Sequence, residues 1–155
     1  MPAASATPAL ARALDDPNHL VRRAAFAALK QVYKDELGVP LSLALAADSS
    51  DVVRAALDEL AKQGEGARAS LVSALDSRVP EARRYAFELL EQLGPKGSVE
   101  PLLAALGSAH ADVRIGVLER LSSSLDPRVT TALGRVLESD HEDLRIRAAE
   151  MLAAR

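Results

Sequence analysis

The 155-residue chain has no cysteine, no tryptophan, and only two tyrosines and two phenylalanines. Without thiols there is no disulfide scaffold, thiolate zinc site, iron–sulfur cluster or cysteine nucleophile. Scarce aromatics argue against strand-rich folds, which favour aromatic and β-branched side chains. Positive charge is not in surplus: 19 Lys and Arg face 22 Asp and Glu, a net charge of −3. That balance argues against a nucleic-acid binder working through a broad basic face. No apolar run reaches the ~18 residues that a membrane span requires. The stretch from Met1 to Leu14 has no basic start and no unbroken apolar core of signal length, so the expected location is cytoplasmic. Phosphate loops, GxSxG, HExxH and GxGxxG after a strand are all missing, so no catalytic residue, metal or cofactor is expected.

What the chain does have is 30 alanines and 25 leucines, a composition that favours helices. Arg exceeds Lys by 15 to 4, a usage associated with GC-rich bacterial genomes. The leucines recur. Leu14, Leu45, Leu75, Leu106 and Leu137 are spaced by 31, 30, 31 and 31 residues. Each is preceded four residues earlier by another leucine: Leu10, Leu41, Leu71, Leu102 and Leu133. Val21, Val52, Ala82, Val113 and Leu144 follow in step, and so do Phe26, Leu57, Phe87, Leu118 and Ala149. Leu29, Leu60, Leu90, Leu121 and Leu152 complete the pattern.

Each unit reads as two helices. The i, i+4 leucines mark a short first helix. Thr7-Pro8, Ser98 before Glu100, and Asp126-Pro127 supply helix-start chemistry. A polar turn follows, such as Asp15-Asp16-Pro17-Asn18 or Asp48-Ser49-Ser50-Asp51. The second helix carries apolar residues at relative positions 0, 4, 5 and 8, as in Val113, Val117, Leu118 and Leu121. Gly38, Gly64, Gly94 and Ser122-Ser123-Ser124 break the chain before the next unit; Gly64-Glu65-Gly66 and Gly94-Pro95-Lys96-Gly97 read as turns between units. A two-helix unit cannot bury its own apolar stripe, whereas stacked units share one core. The expected fold is therefore all-α: a right-handed α-solenoid of five two-helix repeats and ten helices, forming one domain over 1–155. The repeats fall at about 6–35, 37–65, 67–95, 98–125 and 127–155.

The run from Asp15 to Leu29, with its acidic turn, Val21-Arg22 and alanine-rich helix, resembles a HEAT repeat. It is most similar to the short HEAT-like subclass of phycobilin lyases. Ala109-His110-Ala111-Asp112-Val113-Arg114 and Asp140-His141-Glu142-Asp143-Leu144-Arg145 share the pattern, and the resemblance covers essentially the whole chain. Longer HEAT units of ~40–47 residues and tetratricopeptide units of ~34 do not fit this period. Departures are Val53, where the pattern has Arg, and Pro80-Glu81-Ala82 in the third turn. A di-iron hydroxylase branch of the family uses several His-Glu pairs; only His141-Glu142 stands here, and the turn histidines His19, His110 and His141 read as solvated.

Two rows of residues are candidates for function. Arg22, Arg83, Arg114 and Arg145 recur at one position beside the apolar stripe, with Asp51, Glu81, Asp112 and Asp143 at the matching acidic position. They read as a structural ladder in which each Arg bonds the acidic turn or carbonyls of its neighbour. The outward positions of the second helices carry Arg23, Arg54, Arg84, Ile115 and Ile146, then Ala27, Asp58, Glu88, Glu119 and Glu150 four residues on. Arg54–Asp58 and Arg84–Glu88 are spaced as i, i+4 ion pairs. Tyr85, Ile115 and Ile146 are expected to point outward as an apolar patch rimmed by acids. The resemblance implies that second helices line the concave face, which makes this row the expected docking surface.

The functional expectation is a non-enzymatic scaffold for another protein, binding through Arg54, Asp58, Arg84, Tyr85, Glu88, Ile115, Glu119, Ile146 and Glu150. A bilin-lyase-type chaperone or enzyme subunit is the alternative, and a HEAT-like DNA-binding protein is disfavoured by the acidic row. The small residues Ala3 to Ala13 read as a soft cap. The final Met151-Leu152-Ala153-Ala154-Arg155 reads as uncapped, which suggests either self-association or continuation in a longer chain.

Overall fold

The computed structural model describes residues 5–94 and 99–155. Ten α-helices and no strand occur among the described residues. They are α1 (Thr7–Ala13), α2 (His19–Val32), α3 (Gly38–Leu45), α4 (Ser50–Ala61), α5 (Arg68–Ala74), α6 (Pro80–Leu93), α7 (Val99–Ala105), α8 (Ala111–Leu121), α9 (Pro127–Val136) and α10 (Glu142–Ala153). A 3-10 turn, Gly64–Ala67, leads into α5. None of the helices is long and apolar enough to cross a membrane, among the described residues.

Local chemistry accounts for several helix boundaries. Asn18 is extended, and its side chain accepts from the Leu20 amide at 2.9 Å, capping α2. Asp126 accepts from the Arg128 amide at 2.8 Å, with Pro127 at the first helical position of α9. At α1 the expectation is only half met. Pro8 sits in the first turn, but the N-cap is Ala6, and the Thr7 hydroxyl instead bonds the Tyr33 hydroxyl at 2.8 Å. Gly64 and Gly94 take positive φ values of 59° and 83°, which glycine adopts without steric cost. Gly38, expected as a break, is the first residue of α3. Pro95, Lys96, Gly97 and Ser98, and Ala3 and Ala4 of the expected cap, lie outside the described residues.

Two compact units, residues 1–89 and 90–155, divide the chain that the repeat spacing reads as one array. In the first unit α1 packs on α2 and α3 on α4; α2 also meets α4, and α4 meets α5. In the second, α7 packs on α8 and α9 on α10, with α7 against α9 and α8 against α10. Within each unit, then, second helices lie against second helices. The residue four places beyond Val21 and its equivalents is small and buried each time: Ala25, Ala56, Ala86, Val117 and Ala148. Small side chains there let neighbouring helices approach to about 8–10 Å. This explains how a core can be built from Ala and Leu with few aromatics. The next position, Phe26, Leu57, Phe87 and Leu118, fills the remaining space and is also buried.

The periodic equivalence fails at both ends. Val21 is 39% exposed, whereas Val52, Ala82, Val113 and Leu144 are buried. Ala149 is exposed and Leu152 half-buried, although their equivalents are buried. Burial at these positions comes from the flanking repeat, which the described chain does not supply for the outer sides of α2 and α10.

Candidate interaction surface

The arginine row closes the turn inside each repeat. Nη1 of Arg22 donates to the Asp16 carbonyl at 2.7 Å, that of Arg83 to Ser77 at 2.8 Å, that of Arg114 to Ser108 at 2.8 Å and that of Arg145 to Ser139 at 2.6 Å. All four reach back six residues to a carbonyl within the turn before the second helix. The sequence suggested the neighbour's acids or carbonyls, but the shared carbonyl partner belongs to the same repeat. Contacts beyond the repeat do occur. Nε of Arg22 donates to both carboxylate oxygens of Asp51 at 3.1 Å, and Nη2 of Arg114 donates to Nδ1 of His141 at 3.4 Å. Arg83 and Arg114 are buried, and Arg22 and Arg145 half-buried. Four guanidiniums committed to turn carbonyls are poorly placed to form a groove for an anionic ligand.

Val53 breaks the row, and Arg78 supplies a cation to that turn from elsewhere. Its guanidinium donates to the Ala46 carbonyl at 3.3 Å and pairs with Asp48 at 2.7 Å. The Asp15 carboxylate ties the first turn to the second by accepting from the Asp48 amide, the Ser49 amide and the Ser49 hydroxyl. A third link is Lys30 of α2 bonding Glu59 of α4 at 3.0 Å, with Lys62 adding a bond at 3.1 Å. The Lys30 and Lys62 ammonium groups hold the Glu59 carboxyl below its usual range.

The outward row is solvent-facing. Arg23, Arg54, Arg84, Ala27, Asp58 and Glu88 are exposed in the first unit, as are Ile146, Glu119 and Glu150 in the second. Ile115 is half-buried, so the second unit presents one exposed isoleucine on this row rather than two. Ile146 is 54% exposed and stands near the Arg147–Glu150 pair, whose groups are 3.2 Å apart. The i, i+4 pairing differs from the expectation. Among the described residues no Arg84–Glu88 pair forms, and Arg54 and Asp58 meet through Tyr85 rather than directly. The Arg54 guanidinium lies 4.2 Å from the centre of the Tyr85 ring, and the Tyr85 hydroxyl donates to Asp58. Tyr85 is consequently half-buried and locked between two side chains of α4, not a free apolar projection. An i, i+4 spacing within one helix carries no signal of a side chain arriving from the next helix.

The bond to Asp58, helped by desolvation, raises the Tyr85 pKa above its ordinary value of 10.0. A raised folded-state value means that this bond contributes stability fully below the ordinary tyrosine range and loses it as pH rises through the raised value. Phenolate absorbance during an alkaline titration is expected to show a late step. Tyr85→Phe removes that step, and Asp58→Asn moves it to lower pH. A late step unchanged in Asp58→Asn would refute the carboxylate as its cause.

Away from this row, the second unit holds a cavity of about 950 Å³ with an apolar lining that includes Leu90, Val99, Leu102 and Leu121. It lies where α6 and α8 end and α7 and α9 begin, distinct from the outward positions Ile115 and Glu119. Its rim charges are paired, Arg120 with Glu91 at 2.8 Å and Arg128 with Asp126 at 2.8 Å. No group of three or more His, Asp or Glu side chains converges on a metal position among the described residues.

Comparison with known proteins adds the family. A family model described as HEAT repeats matches residues 68–153, and one described as HEAT repeat matches residues 6–35. A search of curated proteins gave no match. The two-helix units, the turn-closing arginines and a match over more than half of the chain agree: the architecture is an α-solenoid of about five two-helix repeats, and the chain belongs to the HEAT-repeat family.

Proposed function

We propose that the protein is a non-enzymatic scaffold that docks another protein on the outward face of its second helices. One observation carries this reading. At the same two helical positions, the second helices turn polar or apolar side chains to solvent that neither the core nor the turns use. In the first unit these are Arg23, Arg54, Arg84, Asp58 and Glu88, with Tyr85 held between Arg54 and Asp58. In the second they are Ile146, Glu119 and Glu150, with Ile115 partly covered. The mixture of a rigid aromatic, arginines and an open isoleucine is of the kind that supports protein contacts. The bilin-lyase-type alternative calls for a pocket on this face, whereas the described cavity of the second unit sits at the inter-repeat loops.

Site-specific photo-cross-linking tests the proposal. A photoreactive residue at Ala27 or Ile146 is expected to capture one discrete partner in the source cell. The same group at Ala69 or Thr131, exposed on first helices, is expected to capture none. Capture from Ala69 or Thr131 alone would put the partner on the opposite helices and sink the assignment.

A further inference from the structure

The first unit carries three arginines in one register whose pairing differs from that of the other arginines around them. Arg23, Arg54 and Arg84 stand two residues after Val21, Val52 and Ala82 on α2, α4 and α6, and all three are exposed. Arg22 pairs with Asp51, Arg68 with Glu65 and Arg78 with Asp48. Among the described residues, Arg23 and Arg84 have no ion-pair partner. Arg54 is held over the Tyr85 ring, which fixes the middle guanidinium while leaving the side chain open to solvent.

The acids of this face sit off the arginine register rather than on it. Asp51 is taken by Arg22, and Asp58 is held on Tyr85, one helical turn from Arg54, where it keeps its negative charge. The acid position four residues on is Ala27 in the first repeat, so only Glu81 and Glu88 remain open beside the Arg84 end. The Arg23, Arg54 and Arg84 register is thus a stripe of three exposed cations, two of them without an ion-pair partner among the described residues, with Asp58 and Glu88 one helical turn away on α4 and α6.

The spacing selects the conformation of a ligand. The three arginines stand on neighbouring second helices, α2 packed on α4 and α4 joined to α6 through Tyr85, and packed helices lie about 8–10 Å apart. A polyproline II segment returns to the same face every third residue, after about 9.3 Å. A β-strand returns every second residue, after about 6.7 Å, and falls out of step. An α-helix, about 10–12 Å across, would also overlie Asp58 and Glu88.

We propose that the Arg23, Arg54 and Arg84 row docks an extended acidic segment of a partner protein, in polyproline II conformation, with Asp or Glu at every third residue. Each carboxylate meets one guanidinium, whose planar fork suits bidentate contact. This rests on the reading that the second-helix face is the partner surface, and it names the chemistry of what binds there.

The test uses the full chain and fluorescence anisotropy at low salt. One labelled peptide carries three Glu-Pro-Pro triplets; the other has the same composition with its three glutamates adjacent. The triplet peptide is expected to bind at least about threefold more tightly, the worth of one well-placed exposed ion pair. Arg23→Gln and Arg84→Gln are each expected to weaken it about threefold to fivefold, and the double variant about tenfold or more. Binding is expected to fade at 1 M salt, where the screening length is about 3 Å. Far-UV circular dichroism checks that the variants stay folded. Equal affinity for the two peptides, indifference to both substitutions, or equal affinity for an oligodeoxythymidylate of the same charge would overturn the proposal. If the peptides fail while Ala27 and Ile146 still cross-link to a partner, the acidic segment is wrong and the surface stands.

Discussion

Leu57→Ala is expected to destabilise the protein by about 3 kcal/mol, within the ~2–5 kcal/mol found for buried leucines. Leu57 lies on α4 and has no exposed surface, and it shares its register with Phe26 and Phe87. Its loss removes apolar contacts and leaves a void that neighbouring helices fill only in part. In a repeat array the effect does not stay within one unit. Stability is a sum of repeat terms and nearest-neighbour terms, and α4 meets both α2 and α5. The substitution therefore weakens the second repeat and its junctions on either side. Urea unfolding followed by far-UV circular dichroism measures the total. Amide exchange on α4 reads the loss locally if unfolding is not a single transition. Leu20→Ala is the control: Leu20 is 59% exposed, and its removal is expected to change stability by less than ~0.5 kcal/mol. A loss below about 1 kcal/mol at Leu57 would mean that the alanine-lined junctions are not tightly packed.

The helix pairing was legible because burial imposes a period. Leu41, Leu71, Leu102 and Leu133 are buried as their spacing demands, and so are Leu29, Leu60, Leu90 and Leu121. The outward row was legible for the complementary reason: positions that alternate with the buried stripe must face solvent. What spacing does not carry is the reach of long side chains between elements. Val53 reads as a gap in the arginine row, yet Arg78 arrives from the third turn to hold Asp48 and the Ala46 carbonyl. Tyr85 reads as a free outward aromatic, yet Arg54 and Asp58 on the preceding second helix bracket it. Neither pairing has a local signature, because the partners are 27 to 32 residues apart. The ends fail for a different reason. Val21 and Ala149 match their equivalents in sequence, but periodicity describes a position and not whether a neighbour covers it.

Arg114→Ala is expected to cost about 2 kcal/mol, and the sum behind that figure contains opposing terms. Arg114 is 6% exposed, with Nη1 on the Ser108 carbonyl at 2.8 Å and Nη2 facing Nδ1 of His141 at 3.4 Å. Truncation deprives a buried turn carbonyl of its charged donor, a loss of about 1–3 kcal/mol. It also strips away a buried aliphatic stem, and arginine stems contribute through packing as well as charge. Against this, Nε of Arg114 is buried without a hydrogen-bond partner among the described residues, so its removal relieves one unsatisfied donor. The net remains a loss because the Ser108 carbonyl in the turn before α8 loses its charged donor. Arg114→Lys is expected to recover little, since a single ammonium cannot reproduce the fork that reaches both the carbonyl and the histidine. Arg84→Ala provides the contrast: it is exposed and unpaired, and its removal is expected to shift stability by less than ~0.5 kcal/mol. Chemical denaturation of the three variants separates the two arginine rows by what they do. If Arg114→Ala and Arg84→Ala proved equally harmless, the inner row would not be closing the turns, and its guanidiniums would be free to serve a ligand instead.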